Sequence, residues 1–179
     1  MKQYIGSKII KAEPALRFSD GNKVMIVELH RDRTDEEKAF IGRAESCDMG
    51  YRVVYPDGYK SWSPRDVFED AYLPLEVNQD LKTDAPSISQ KMVDDFILET
   101  WTTTLGDKTT VVRAMLRNGF EIVESSSCVS AENYDEAVGA EICMEHIKNR
   151  VWMLLGFLLQ TAVHGVKPCA KKEDLDGVQ

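Results

Sequence analysis

Two arginines and a run of serines are the residues of this sequence best suited to holding an anion. Arg113 and Arg117 are close together in the chain, and Ser125 and Ser127 follow them in the segment ESSSCVS. A guanidinium forms charge-assisted hydrogen bonds to phosphate oxygens, and serine hydroxyls add small donors. The N–H groups at the start of a following helix would strengthen such a site. These residues predict a site for a phosphorylated ligand.

Asn133 and Tyr134 complete the predicted site. Asn133 lies three residues before Glu136, a spacing typical of a helix N-cap, and Tyr134 offers a ring for stacking on a planar ligand. The alternative interpretation is structural, because serine hydroxyls often satisfy backbone groups at turns and caps. The sequence leaves both interpretations open.

Tyr59 and Trp62 form a second, weaker candidate site near the middle of the chain. They lie in a predicted hairpin strand, directly before a predicted helix start. Aromatic residues in such strands commonly serve as core or cross-strand partners. Beside a helix start, they are also placed to line a pocket.

Catalytic residues are hard to assemble from this sequence. His146 and His164 are five turns apart on one predicted helix, about 27 Å at the usual helical rise, and His30 lies on a predicted strand. No H-E-x-x-H, phosphate-binding glycine loop or paired-cysteine zinc pattern occurs. Cys128 near a helix start could act as a nucleophile, but a small packed thiol is the commoner role. We therefore predict no enzyme activity, no cofactor and no metal site, and rank a hydrolase last.

The composition excludes two further classes of protein. A net charge of −8 argues against sequence-independent binding of a nucleic-acid backbone, which requires clustered cations. The longest apolar run, Val151 to Leu159, is far shorter than the ~20 residues that cross a bilayer. The four cysteines are widely spaced, which favours reduced thiols. We expect a cytoplasmic protein that does not enter a membrane.

Residues 1–80 are predicted to form a small β-rich module. Strands are expected at YIGSKIIKAEP, ended by Pro14, and at KVMIVELH, whereas RDRTDEEKAFIGRAE is either a short helix or a loop. The segment GYRVVYPDGYKSW predicts a hairpin. A short helix should follow, with Ser63 as N-cap and Pro64 at the first helical position.

Residues 81–179 are predicted to form the second module. A helix capped by Ser89 should continue through Trp101, and Asn118-Gly119 should join two strands in a type I′ turn. One helix of about 30 residues should then end at Gly165. The predicted fold class is α+β: a small antiparallel sheet with a short capping helix, then a helix, a β-hairpin and one long C-terminal helix.

The long helix carries a heptad-like seam and becomes apolar on nearly every side from Val151 onward. A helix of this kind must be covered on more than one side. We therefore predict a homo-oligomer that associates through residues 140–163, unless the first module folds back over this helix. The seam consists of Ala140, Met144, Ile147, Val151, Leu154 and Leu158.

Several of these segments resemble phage proteins. YIGSKIIKAEP and GYRVVYPDGYKSWSPRDVFEDAY are similar to the N-terminal module of many small tailed-phage proteins. The stretch from LRNGFEIVESSSCVSAENYDEAVGAEI through IKNRVWMLLGFLL resembles the phage family named after gene products forty-nine and sixty-six. This resemblance implies a non-structural accessory protein of the host cytoplasm without known enzyme activity. Its plan, a small sheet and an oligomerising helix, is similar to that of phage proteins that sequester nucleotide immune signals.

The sequence thus supports two hypotheses about function. The first is a non-enzymatic protein that binds and sequesters a small phosphorylated ligand such as a nucleotide immune signal. The second is an acidic protein–protein inhibitor of a host enzyme, for which the charged segment RDRTDEEKAF and the acidic tail are the motivation.

Overall fold

The computed structural model describes residues 3, 6–76, 78–79, 81–83 and 85–167. Contacts within the chain define two compact units, one from Lys8 to Pro74 and one that contains every helix and strand from Gln90 onward. The units change between Pro74 and Leu75. The boundary near residue 80 stays a prediction about how the two modules fold in isolation.

The N-terminal unit is a four-stranded antiparallel sheet with two short helices. The strand order is β2-β1-β3-β4. Phe18, Val27 and Phe40 form the buried core between the sheet and the first helix. The elements are β1 (Lys11–Ser19), β2 (Val24–Glu28), α1 (Asp35–Ile41), β3 (Ser46–Val54), β4 (Lys60–Pro64) and α2 (Arg65–Ala71).

Pro14 does not end the first strand, contrary to our expectation. β1 runs through it to Ser19 and lies in the middle of the sheet. The carbonyl of Pro14 accepts a hydrogen bond from the backbone N–H of Leu29, just beyond the end of β2. The proline nitrogen points to this same side, so its missing N–H falls where the ladder with β2 ends.

The charged segment that could have been a helix or a loop contains the helix α1. Thr34 is its N-cap: the hydroxyl accepts from the N–H of Glu37 at 3.2 Å, and the Glu37 carboxylate accepts from the N–H of Thr34 at 2.8 Å. This reciprocal pair is a capping box, which explains why a segment with little apolar content forms a helix.

The helix α2 is present, but its predicted cap is wrong. Pro64 is the N-cap, and the Ser63 hydroxyl donates to the Pro64 carbonyl at 3.4 Å instead of accepting from helical N–H groups. Ser63 still belongs to β4, which holds its side chain away from the helix start. Phe68 contacts the sheet through a stacked pair with Tyr51, 4.1 Å between ring centroids.

The C-terminal unit is a three-stranded antiparallel sheet with one long helix. The strand order is β5-β6-β7, and a 3₁₀ turn, Ala131–Asn133, precedes the long helix. The α+β class is confirmed. The elements are α3 (Gln90–Phe96), β5 (Ile97–Leu105), β6 (Thr109–Leu116), β7 (Glu121–Ser127) and α4 (Glu136–His164).

The prediction of one helix from Ser89 to Trp101 is only half right. Ser89 caps α3 by accepting from the N–H of Met92, but the helix ends at Phe96. Ile97 and Trp101 lie on β5, a strand in which four of nine residues are threonine. Threonine loses side-chain freedom in a helix and fits a pleated strand, so pairing with β6 prevails over the helical spacing.

The hairpin of β6 and β7 is confirmed, but its turn is not of type I′. Among the described residues only glycines have positive φ, so Asn118 does not. Gly119, at φ +80°, donates its N–H to the carbonyl of Leu116 at 2.8 Å. This geometry fits a type I turn followed by a left-handed glycine. Asn118 accepts from the N–H of Phe120 through its side chain instead.

The helix α4 packs on β6 and β7 through residues spaced by four, not through the predicted heptad seam. Only Ile147 and Val151 of that seam are buried, while Leu158 is about half exposed. Gly165, at φ +67°, is the C-cap, as predicted. Because the sheet is twisted, the side of the helix that contacts it shifts gradually along the helix axis. In a coiled coil, by contrast, the heptad positions face the partner helix throughout. The buried residues are Gly139, Cys143, Ile147, Val151 and Leu155.

Candidate functional site

The C-terminal sheet has one face under α4 and one face without a helix. Strand alternation and the register of the pairs assign the side chains to the two faces. Val112, Ala114 and Ile122 are buried on the side of α4. We call the opposite side the open face. It carries Glu99, Trp101, Thr103 and Leu105 on β5, Thr109, Val111, Arg113 and Met115 on β6, and Glu121, Val123, Ser125 and Ser127 on β7.

Arg113 lies at the centre of the open face. It is paired with Trp101 on β5 and Val123 on β7. Its guanidinium carbon is 4.1 Å from the centroid of the Trp101 ring, and its Nη1 is 3.7 Å from a carboxylate oxygen of Glu121. The indole therefore supports the cation, while the ion pair is too long to be a tight hydrogen bond.

Ser125 and Ser127 lie on the same face as Arg113, as the predicted site required. Ser125 is paired with Val111. Val111 is two residues from Arg113 on β6, and two residues of a strand span about 7 Å. The hydroxyls of Ser127 and Thr109 form a cross-strand hydrogen bond of 2.9 Å. Both serines are exposed. They belong to an edge strand, however, and not to a turn next to the start of α4.

Arg117 lies outside the strand that carries Arg113, and its part in the site stays a prediction. It follows the last residue of β6, in the turn before β7. Its backbone N–H donates to the carbonyl of Phe96 at 3.0 Å, and its residue is exposed. Arg117 lies outside the strand register that assigns Arg113 to the open face, so strand alternation does not assign its side chain to either face.

Tyr134 lies on the covered side of the sheet. Its hydroxyl is 2.7 Å from the Thr104 hydroxyl and 3.0 Å from that of Thr110, which is fully buried. Thr104 also donates to the carboxylate of Glu136. The tyrosine thus ties β5 and β6 to the start of α4, a structural contact in place of the predicted stacking role.

The start of α4 already has an anion as its cap. One carboxylate oxygen of Asp135 accepts from the N–H groups of Ala137 and Val138 at 2.8 and 3.2 Å. Asn133, the predicted cap, instead ends the 3₁₀ turn and accepts a hydrogen bond from the Cys128 thiol through its carbonyl. The helix N–H groups that the sequence offered to a phosphate are therefore engaged by Asp135.

Tyr59 and Trp62 lie on opposite faces of the N-terminal sheet. Tyr59, in the turn before β4, is largely exposed and has its ring 5.7 Å from that of Tyr55. Trp62 covers Gly50, with the Arg17 guanidinium 5.3 Å from its ring. The structure does not bring these two aromatic residues into one site.

The two described thiols of the C-terminal unit make contacts with backbone carbonyls. Cys143 is fully buried below β6, and burial together with the nearby Glu124 carboxylate raises its pKa. Its thiol is 3.8 Å from the Thr110 carbonyl. A protonated, buried thiol is a packing group and not a nucleophile.

Trp101 is the residue of the candidate site that the sequence analysis missed. We had placed it in a helix because of its spacing from Val93 and Phe96. The signal that could have found it is the run WTTTL, in which alternate residues suit the two faces of a strand. Pairing β5 with β6 then places Trp101 beside Arg113.

The C-terminal unit thus defines a class of protein in which one long helix covers one face of a three-stranded sheet and leaves the other face accessible. Residues 88–163, which contain this sheet and most of α4, match the family described as Phage protein (N4 Gp49/phage Sf6 gene 66). The phage family expected from the sequence is confirmed for this segment. The resemblance of the N-terminal segments stays a prediction.

No curated protein and no solved structure matches the chain. Within the described residues, no helix is long and apolar enough to cross a membrane. In the same part of the chain, no three His, Cys, Asp or Glu side chains come together as metal ligands.

Proposed function

We propose that this phage protein binds and holds a small phosphorylated ligand of nucleotide type on the open face, in the host cytoplasm, without turning it over. The observation that carries the proposal is the cation–π pair of the exposed Arg113 and the half-buried Trp101 in the middle of the open face. This contact restricts the guanidinium in advance, so less side-chain entropy is lost when its N–H groups bind a phosphate.

The charges of the open face favour one direction for the ligand. The carboxylates of Glu99 and Glu121 lie at the end of the face near Met115. Beyond Arg113 in the other direction, the face carries only hydroxyl and apolar side chains, including Val111, Ser125 and Ser127. A phosphate at Arg113 would therefore extend toward the serines, away from the carboxylates.

The apolar part of the face would contact the base or sugar of the ligand. Val123 is 55% exposed beside Arg113, and Leu105 is 67% exposed at the far end of β5. Such side chains offer an apolar surface next to a cation and hydroxyl donors, a combination typical of nucleotide sites. The site has no group that we assign to bond breaking, so the proposal is capture and not catalysis.

The test is calorimetry of the full chain with a panel of cyclic and linear nucleotides, with nucleosides and inorganic phosphate as separate probes. Arg113→Ala should weaken nucleotide binding about tenfold or more, since a charge-assisted bond to phosphate is lost. Arg17→Ala is the matched control, because Arg17 also lies over a tryptophan, Trp62, and near a carboxylate, Asp48 at 3.6 Å. Absence of binding across the panel would overturn the proposal.

A second candidate function is inhibition of a host protein through an acidic surface. It is supported by α1, whose first turn exposes the side chains of Asp35 and Glu36. Glu37 of the same turn is used internally by the capping box. The test is capture of a host protein by the full chain, compared with the variant Asp35→Lys/Glu36→Lys. Equal capture by both proteins would argue against this surface.

A further inference from the structure

The last three turns of α4 leave an apolar stripe without a partner in the described chain. Leu155 is the last buried residue of the helix, which continues to His164. Near and beyond it on another side of the helix, Met153 and Phe157 remain 66% and 73% exposed, and Val163 is about half exposed. We call the distal stripe the residues on this side of the helix, spaced by three and four: Met153, Gly156, Phe157, Gln160 and Val163.

Gly156 has no explanation within its own chain. A glycine in a helix interior is less favourable than alanine. At Gly139, the other glycine of α4, an added Cβ would overlap the Thr110 side chain, which explains the glycine there. At Gly156 an added Cβ would meet nothing within 4 Å. A glycine at this position is useful when the backbone of another helix packs closely against it.

The distal stripe is nearly free of charge. Between Asn149 and His164 the only residue with a full charge at neutral pH is Arg150, and its Nε is already 2.5 Å from a carboxylate oxygen of Glu124. A surface of this kind has no charge pattern with which to select a charged partner. It has instead a bulky ring beside a glycine, which is a self-complementary shape.

We propose that a second copy of this chain covers the distal stripe, as an antiparallel pair of α4 helices in which Phe157 of each copy packs over Gly156 of the other. A two-fold axis between these residues satisfies both contacts at once, as isologous interfaces require. A parallel pair would place Phe157 against Phe157 and Arg150 against Arg150. The antiparallel pair avoids both.

The size of this contact sets the expected strength of association. Two helix segments of this length, packed along one stripe, bury on the order of 1,000 Å² in total, the lower limit of specific interfaces. The dimer should therefore be reversible, with a dissociation constant in the micromolar range. The predicted interface at residues 140–163 is thereby narrowed to its C-terminal part, because Ile147 and Val151 are used within the chain.

The experiment is sedimentation velocity of the full chain over a wide range of concentration. Phe157→Glu should raise the dissociation constant at least about tenfold, because it buries a charge without a partner. Gly156→Leu should do the same by steric overlap, while it improves helix propensity and so keeps the monomer folded. Val138→Glu is the matched control, since Val138 is exposed at the other end of the same helix. It should leave association unchanged.

The orientation is tested by disulfide formation between two differently labelled variants, Gly156→Cys and Phe157→Cys, each also carrying Cys47→Ser, Cys128→Ser and Cys169→Ser. An antiparallel pair should favour the mixed disulfide over either homodimer, because only the mixed pair brings the two positions within disulfide reach. A chain that stays monomeric at every concentration would overturn the proposal. Association that neither Phe157→Glu nor Gly156→Leu weakens would overturn it as well.

Discussion

The two sheets of this protein use their arginines differently. In the N-terminal unit, Arg52 pairs with the carboxylates of Glu13 and Glu28, and Arg31 pairs with Glu28 and Glu37. In the C-terminal unit, Arg113 has one carboxylate neighbour, Glu121, at 3.7 Å. Arg31 and Arg52 are thus each held by two carboxylates, whereas Arg113 has one long ion pair and is available for a ligand.

The pKa of Glu37 shows how firmly the N-terminal network is held. The hydrogen bond from Arg31, with that from the Thr34 backbone, lowers the pKa of Glu37 to about 2, and the carboxylates raise the pKa of Arg31 in turn. An arginine held in this way is not free to bind a phosphate. This is why Arg31 and Arg52 are weaker candidates for binding a ligand than Arg113.

Both units also contain one glycine that permits a close approach, on β3 in the N-terminal unit and on α4 in the C-terminal unit, but the approaching groups differ. An added Cβ at Gly50 of β3 would overlap the Ser63 carbonyl and come within 2.7 Å of the Trp62 ring. An added Cβ at Gly139 would overlap only the Thr110 side chain. A strand backbone cannot move aside without breaking its ladder, whereas a side chain can rotate or shift.

The largest effect is therefore expected for Gly50→Ala. We expect a loss of about 3 kcal/mol or more in the free energy of unfolding, since overpacking against backbone has no easy relief. Hydrogen exchange should show faster exchange in peptides from residues 8–74. Gly42→Ala is the control, because its added Cβ makes only ordinary contacts and its φ is −65°. A change below about 0.5 kcal/mol at Gly50 would contradict the close packing of Trp62.

The next largest effect should come from Gly139→Ala in the C-terminal unit. We expect a loss of about 2 kcal/mol, because Thr110 is fully buried and must shift to admit the methyl group. Gly156→Ala in the same helix should stabilise the chain by up to about 1 kcal/mol through helix propensity. Both values come from urea denaturation at concentrations where the chain is monomeric. Equal changes in stability at the two glycines would contradict the difference in packing between Gly139, which contacts Thr110, and Gly156, which has open space around it.

Several local signals predicted their elements, although the caps assigned to Ser63 and Asn133 were wrong. Ser89 caps α3, Gly165 ends α4, and Asn118-Gly119 marks the turn between β6 and β7. Each of these depends on backbone groups a few residues away, so the sequence alone contains the interaction. The strand β5 depends on pairing with β6, a non-local contact, and its residues Ile97 and Trp101 were assigned to a helix for that reason.

The candidate site was predictable to the same extent. Once the hairpin turn is known, its register places Arg113, Ser125 and Ser127 on one face. Trp101 could not be added, because its strand was not recognised. The sequence contained no reason to exclude Tyr134 from the predicted site, because Thr104 and Thr110 approach its hydroxyl only in the folded chain.

A smaller change in the free energy of unfolding is expected at the N-cap of α4. It compares the cap that the structure shows, Asp135, with the cap that the sequence predicted, Asn133. Asp135→Ala should cost about 1 kcal/mol, since two helix N–H groups lose their acceptor. Asn133→Ala, which removes the side chain that the sequence favoured as cap, should change the free energy of unfolding by less than about 0.5 kcal/mol. Thermal denaturation of both variants followed by circular dichroism makes the comparison. A larger loss of stability for Asn133→Ala than for Asp135→Ala would support Asn133 as the N-cap of α4.

The smallest effect concerns acid and the N-terminal network. The pKa of Glu37 is about 2 in the folded chain, against an ordinary value of 4.5 for a free glutamate. Because the folded pKa is the lower one, the stabilisation is complete above pH 4.5 and is lost as pH falls toward 2. The difference in melting temperature between wild type and Glu37→Gln should therefore be constant above that window and shrink within it. Arg31 is partly exposed, so salt should reduce the difference. In a double-mutant cycle, Arg31→Gln should cost less in the Glu37→Gln background than in wild type, because only its pair with Glu28 is then lost, and full additivity would show that Arg31 and Glu37 do not interact.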